Sequence, residues 1–225
     1  MSRYNLFGQI HKALRAMLHD TALTLQQTNF SNKEEGEFAL GKLQRILDVL
    51  DEHAENEDNF ILPAVQQYEP SLTDAFVQQH VEGRRLAEEL RKPIISYKKT
   101  TKEDERFNTG RTVNQMFSEF IGTTTRQMDR EETVLNKILW RYYSDTEIMI
   151  LNQRTTSALP QEQPSFRNWL VRGLTNAEIV GLMKAVGKNA PDFVFNSLLV
   201  IAEKELPGIR YSKVIEGLTQ GALVA

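Results

Sequence analysis

Apolar positions between residues 5 and 143 recur at alternating steps of three and four, the period that keeps side chains on one face of an α-helix. Four such stripes can be followed. The first is Phe7, His11, Leu14, Leu18, Ala22 and Leu25, and it predicts a helix over about Asn5 to Gln27. The second is Ala39, Leu43, Ile46, Leu50, His53, Glu57 and Phe60; its helix opens after a Ser31/Glu34 capping box and closes near Pro63. The third, Phe76, His80, Gly83, Ala87, Leu90 and Ile94, begins around Ser71 or Thr73, and Pro93 is expected to kink it or end its regular part. The fourth, Val113, Phe117, Phe120, Thr124, Gln127, Glu131, Val134 and Ile138, predicts a helix from about Arg106 to Tyr143. The connections are short, so an all-α, antiparallel up-down four-helix bundle over residues 1–145 is the natural packing.

The texture changes after Tyr143. A Ser144/Glu147 capping box opens a short helix to about Gln153, and Arg154 to Gln163 reads as a linker. Short amphipathic segments follow over Ser165–Leu174, Thr175–Gly187 (with a Thr175/Glu178 capping box), Pro191–Leu206 and, more weakly, Tyr211–Leu218. Residues 146–225 therefore form a C-terminal helical extension. The roles open to it are a lid, an output or a homodimer surface.

Each bundle stripe is interrupted by polar residues: His11, His53, Glu57, His80, Gln127 and Glu131. A carboxylate on a buried face is costly unless it is paired, protonated or bound to a metal. His53 and Glu57 are four residues apart, so both point the same way from one helix. Pairing of the acids with Arg84, Arg111 or Arg126 is one reading, with the histidines as satisfied core residues. The other is convergence on a cation, which the in-phase placement on four separate stripes favours. A His/carboxylate set without sulfur suits iron, with manganese and zinc as alternatives. His19 falls beside its stripe, and Glu52, Glu55 and Asp58 read as a solvated face. Met17, Met116 and Met128 read as core filler.

Composition narrows the field. The 225 residues contain no cysteine, which excludes disulfides and thiolate-held metals. Net charge is −3 and no basic cluster stands out, so no nucleic-acid partner is expected. No apolar run reaches the length of about 18 residues that suggests a membrane span, and the start of the chain lacks a charged-then-apolar signal segment. The expected location is cytoplasmic. There is no Gly-rich phosphate loop, no HExxH, and no Glu-x-x-His pair of the kind used by ferritin-like di-iron bundles.

Taken in order, Ile10-His11-Lys12-Ala13-Leu14-Arg15, His53-Ala54-Glu55-Asn56-Glu57 with Phe60-Ile61-Leu62-Pro63, Gln79-His80-Val81-Glu82, and Gln127 through Leu135 resemble the hemerythrin-like, or HHE cation-binding, family. The resemblance covers about residues 5–143. It implies one metal held by His11, His53, Glu57 and Glu131. The other half would have His80 and the two bridging glutamates, with Gln127 where the family has histidine. It further implies a non-haem iron protein with one or two ions that binds or senses a small ligand such as dioxygen or nitric oxide. Two alternatives remain: a di-metal oxidase- or peroxidase-type enzyme, and a helical interaction scaffold that has partly lost its metal site.

Overall fold

The structure is a computed structural model that describes residues 3–157 and 164–219. All regular structure among the described residues is helical. The elements are α1 (Gly8–Gln27), α2 (Lys33–Asn56), a π-helical turn (Glu57–Ile61), α3 (Leu62–Gln66), α4 (Pro70–Lys99), α5 (Glu103–Arg130), a second π-helical turn (Glu131–Leu135), α6 (Asn136–Tyr142), α7 (Asp145–Ser157), α8 (Pro164–Gly173), α9 (Asn176–Asn189), α10 (Asp192–Glu205) and α11 (Gly208–Thr219). Four rods make the bundle: α1, α2 continued into α3, α4, and α5 continued into α6. None of the helices is long and apolar enough to cross a membrane.

Local chemistry sets the ends of the rods. Asn5 Oδ1 accepts hydrogen bonds from the Phe7 and Gly8 amides (3.1 and 2.9 Å), which caps the start of α1. Asn136, fully buried on α6, holds that cap in place. Its Nδ2 donates to Asn5 Oδ1 (2.8 Å) and its Oδ1 accepts from the Leu6 amide (3.2 Å). The cap of α2 is Asn32, not Ser31: its side chain accepts from the amides of Glu34 and Glu35. α4 runs through Pro93 to Lys99, so the proline does not end it. Tyr97, near the end of α4, is wholly buried and donates to the carbonyls of Phe30 and Asn32. Gly36 makes room for it, since a Cβ there would stand 1.9 Å from the Tyr97 hydroxyl.

Most of the predicted stripe positions are buried, and two of the departures share a cause. Phe60 and Val134 are only half-buried, while the next residues, Ile61 and Leu135, are 4% and 1% exposed. Both slips follow a π turn. The Leu62 amide bonds the carbonyl of Glu57, and the Asn136 amide that of Glu131, five residues back instead of four. Each turn absorbs one extra residue and shifts the stripe behind it.

By proximity of the backbone the chain divides into two units, Met1–Gly8 with Met17–Pro160, and Gln9–Ala16 with Gln161–Ala225. In the first, Leu6, Phe7, Ile61, Leu62, Val65, Phe76, Leu135 and Leu139 build one end of the core together with Ile148 of α7. In the second, Val171, Leu174, Ile179, Met183, Leu198, Ala202, Leu206 and Val214 form a separate cluster. The Thr175/Glu178 capping box opens α9 as predicted, and Glu178 also pairs with Lys12 Nζ at 2.6 Å. The Ser144/Glu147 box is likewise formed, with α7 extending to Ser157. Of the predicted linker, residues 158–163 lie outside the described residues.

Candidate metal centre

Four helical rods deliver one polar group each, or more, to a common level. α1 supplies His11, which is fully buried. α2 supplies His53, whose side chain is 13% exposed, and Glu57 follows at the first residue of its π turn. α4 supplies His80, and α5 supplies Gln127, four residues before Glu131, the first residue of the second π turn. Glu57, His80 and Glu131 are each exposed by 2% or less. The two carboxylates thus sit at equivalent points, each opening the one stretch of its rod where the helix is widened by a residue. π turns of this kind frequently mark functional sites.

His11, His53, Glu57 and Glu131 each offer a donor atom within 4.8 Å of those of the others, an arrangement that can hold a metal ion. His53 Nε2 lies 3.2 Å from Glu57 Oε1. On the other side, His80 Nε2 lies 3.2 Å from Glu57 Oε2 and 3.5 Å from Glu131 Oε1. It makes these approaches without hydrogen-bond geometry, although it is buried. A buried ring nitrogen in this position is unusual unless it faces an ion or a ligand. Gln127 Nε2 donates to Glu131 Oε1 at 2.9 Å.

The arginines do not take the place of a cation between the glutamates. Arg84 forks onto Asp58 Oδ2 through both terminal nitrogens (3.0 Å each), and Arg111 and Arg126 are exposed. Asp58 in turn corrects the sequence reading. It is not part of a solvated face, because its Oδ1 accepts from His80 Nδ1 at 2.5 Å. This carboxylate fixes the ring of His80 and directs Nε2 inward, as carboxylates behind metal-site histidines do. Asp58 lies two turns beyond Asp51, which pairs with Arg91 of α4, so the face of the rod that carries both acids is turned towards α4 and not towards water. His19 is exposed, and Met17 and Met128 are buried core residues, while Met116 is half-buried.

Burial alone would lower the pKa of His80. The Asp58 hydrogen bond and the nearby Glu131 and Glu57 carboxylates outweigh it and push the value from 6.5 up to about 11. Burial would raise Asp58, but the hydrogen bonds from His80 and Arg84 hold it below its ordinary 3.8. Each shift links stability to pH. The raised histidine stabilises the metal-free fold fully below pH 6.5, and this is lost as pH rises through about 11. The depressed aspartate contributes fully above pH 3.8 and loses its share as pH falls through its lower folded value. The metal-free protein should therefore melt highest between pH 3.8 and 6.5. Asp58→Asn should flatten the profile of melting temperature against pH, and an unaltered profile would contradict the pairing.

A cavity of about 30 Å³ adjoins the cluster, lined by His53, His80, Gly83, Phe120, Thr124, Gln127 and Glu131 among others. A water needs roughly 10–15 Å³ by this kind of measure, so the space suits a ligand of two or three atoms. Imidazole and carboxylate donors, buried together beside an accessible space, are the parts of a non-haem metal centre with an open position.

Comparison with curated proteins gives no match. Comparison with family models does: the hemerythrin HHE cation-binding domain matches residues 3–139, more than half of the chain and every histidine and glutamate of the cluster. The chain therefore belongs to the hemerythrin HHE cation-binding domain family.

Proposed function

We propose that this protein is a hemerythrin-like non-haem iron protein that binds or senses a small ligand such as dioxygen or nitric oxide. The observation that carries the reading is the convergence of His11, His53, Glu57 and Glu131 within 4.8 Å, three of them fully buried or nearly so. Iron bound there would supply a Lewis-acidic, redox-active centre. The chain's own part is to hold neutral imidazoles and ionised carboxylates in one dry place and to leave a small space beside them. Phe120 and Met128 give that space an apolar wall, which suits an uncharged diatomic molecule.

The ionisable residues that line the cavity outside the cluster, Asp51 and Arg84, are already paired with Arg91 and Asp58, so binding is favoured over turnover as the main activity. The full chain, loaded with iron under reducing conditions, should contain stoichiometric iron. It should change its visible spectrum reversibly on exposure to oxygen or nitric oxide. A colourless protein with far less than one iron per chain would support the scaffold reading instead, and steady consumption of peroxide would support an enzyme.

A further inference from the structure

The two halves of the cluster can be compared within the chain itself. His53 and Glu57 on one rod correspond to Gln127 and Glu131 on another, each pair spaced by four and each glutamate opening a π turn. The first pair puts an imidazole nitrogen 3.2 Å from its glutamate, and the second puts an amide nitrogen 2.9 Å from its own. An imidazole nitrogen can give a lone pair to a metal. An amide NH₂ has only protons to give. The Gln127 Nε2 donor is aimed at Glu131, and its oxygen faces the α4 backbone, where a Cβ on Gly83 would stand 3.6 Å away. Gln127 thus satisfies Glu131 in the manner of a cation, from the side where a second cation would lie.

Charge points the same way. One divalent ion neutralises Glu57 and Glu131, while Asp58 is already matched by Arg84. A second divalent ion would leave two positive charges in a buried site, since the further carboxylate that lines the cavity, Asp51, is already engaged by Arg91, and unpaired buried charge is strongly disfavoured.

We infer that the centre is mononuclear. His11, His53, Glu57 and Glu131 hold one divalent ion, while His80 and Gln127 are hydrogen-bonding groups over its open side instead of ligands to a second ion. This rests on the iron-binding reading above and departs from the paired site that the family resemblance implies. His80 Nε2, buried and without hydrogen-bond geometry to any protein atom, lines the cavity with Gln127 and Thr124. The three form a polar rim that would discriminate ligands able to make a hydrogen bond from those that cannot.

The test uses manganese(II) titrated into the metal-free full chain, with bound metal measured by elemental analysis and magnetic coupling by electron paramagnetic resonance. The wild type should bind one ion with the spectrum of an isolated centre, and Gln127→His should bind two that are coupled. Two coupled ions in the wild type would overturn the inference but leave the metal-binding reading standing, whereas no bound ion would sink both. Gln127→His that still holds one ion would contradict the role given to Gln127. If that variant does not fold, His11→Gln and His80→Gln decide: the first should weaken the ion at least about tenfold, and a larger loss from the second would place the ion in the other half.

Discussion

Glu57→Ala is expected to abolish metal binding while the bundle stays folded. Its carboxylate reaches both halves of the cluster, with Oε1 3.2 Å from His53 Nε2 and Oε2 3.2 Å from His80 Nε2. Loss of an outer hydrogen-bonding partner costs a metal site about 10–100-fold in affinity, so loss of a donor that faces both halves of the cluster should cost at least about 100-fold. The fold should survive because the neighbouring core, Leu47, Leu50, Ile61 and Leu62, is untouched. Removing a buried acid also relieves a desolvation cost. Affinity measured by titration with metal, next to a thermal melt, separates the two effects. A variant that keeps the wild-type affinity would mean that Glu57 is not a ligand.

Deletion of Asn59 should keep the fold and lose the centre. This residue is exposed in the middle of the first π turn. Without it the turn can close as ordinary α-helix, with Ile61 three positions beyond Glu57, so the apolar stripes on both sides stay in register. What changes is the local backbone at the turn that Glu57 opens and that also carries Asp58. Helical content and melting temperature should therefore stay level or rise, while metal affinity falls at least about tenfold, the size expected when a site's supporting geometry is lost. Unchanged affinity would show that the widened turn does not position the carboxylate. A collapse of the fold would show that the turn serves packing instead.

Much of this was legible in the sequence because a helix of regular period reports which face is buried. The phase of His11, His53, His80, Glu57 and Glu131 on apolar stripes is a consequence of that period, and their burial follows it. Part of what stayed hidden depended on departures from regularity. A π turn has no distinctive composition, so Phe60 and Val134 were expected in the core where Ile61 and Leu135 lie. Asp58 was concealed for another reason: a row of acids reads as a solvated face unless the basic partners on the neighbouring helix, Arg84 and Arg91 with His80, are known to face it. At the start of α2, Ser31 and Asn32 are both good capping residues. The choice of Asn32 is bound up with Tyr97, whose hydroxyl donates to the Phe30 and Asn32 carbonyls across a long stretch of chain. Local pattern cannot carry such information.

The account turns on whether the buried imidazoles and carboxylates hold an ion, and anomalous X-ray scattering from crystals of the iron-loaded full chain would answer that directly. The expected result is a single strong iron peak within bonding distance of His11, His53, Glu57 and Glu131. An iron peak elsewhere, or none despite iron in the medium, would contradict it.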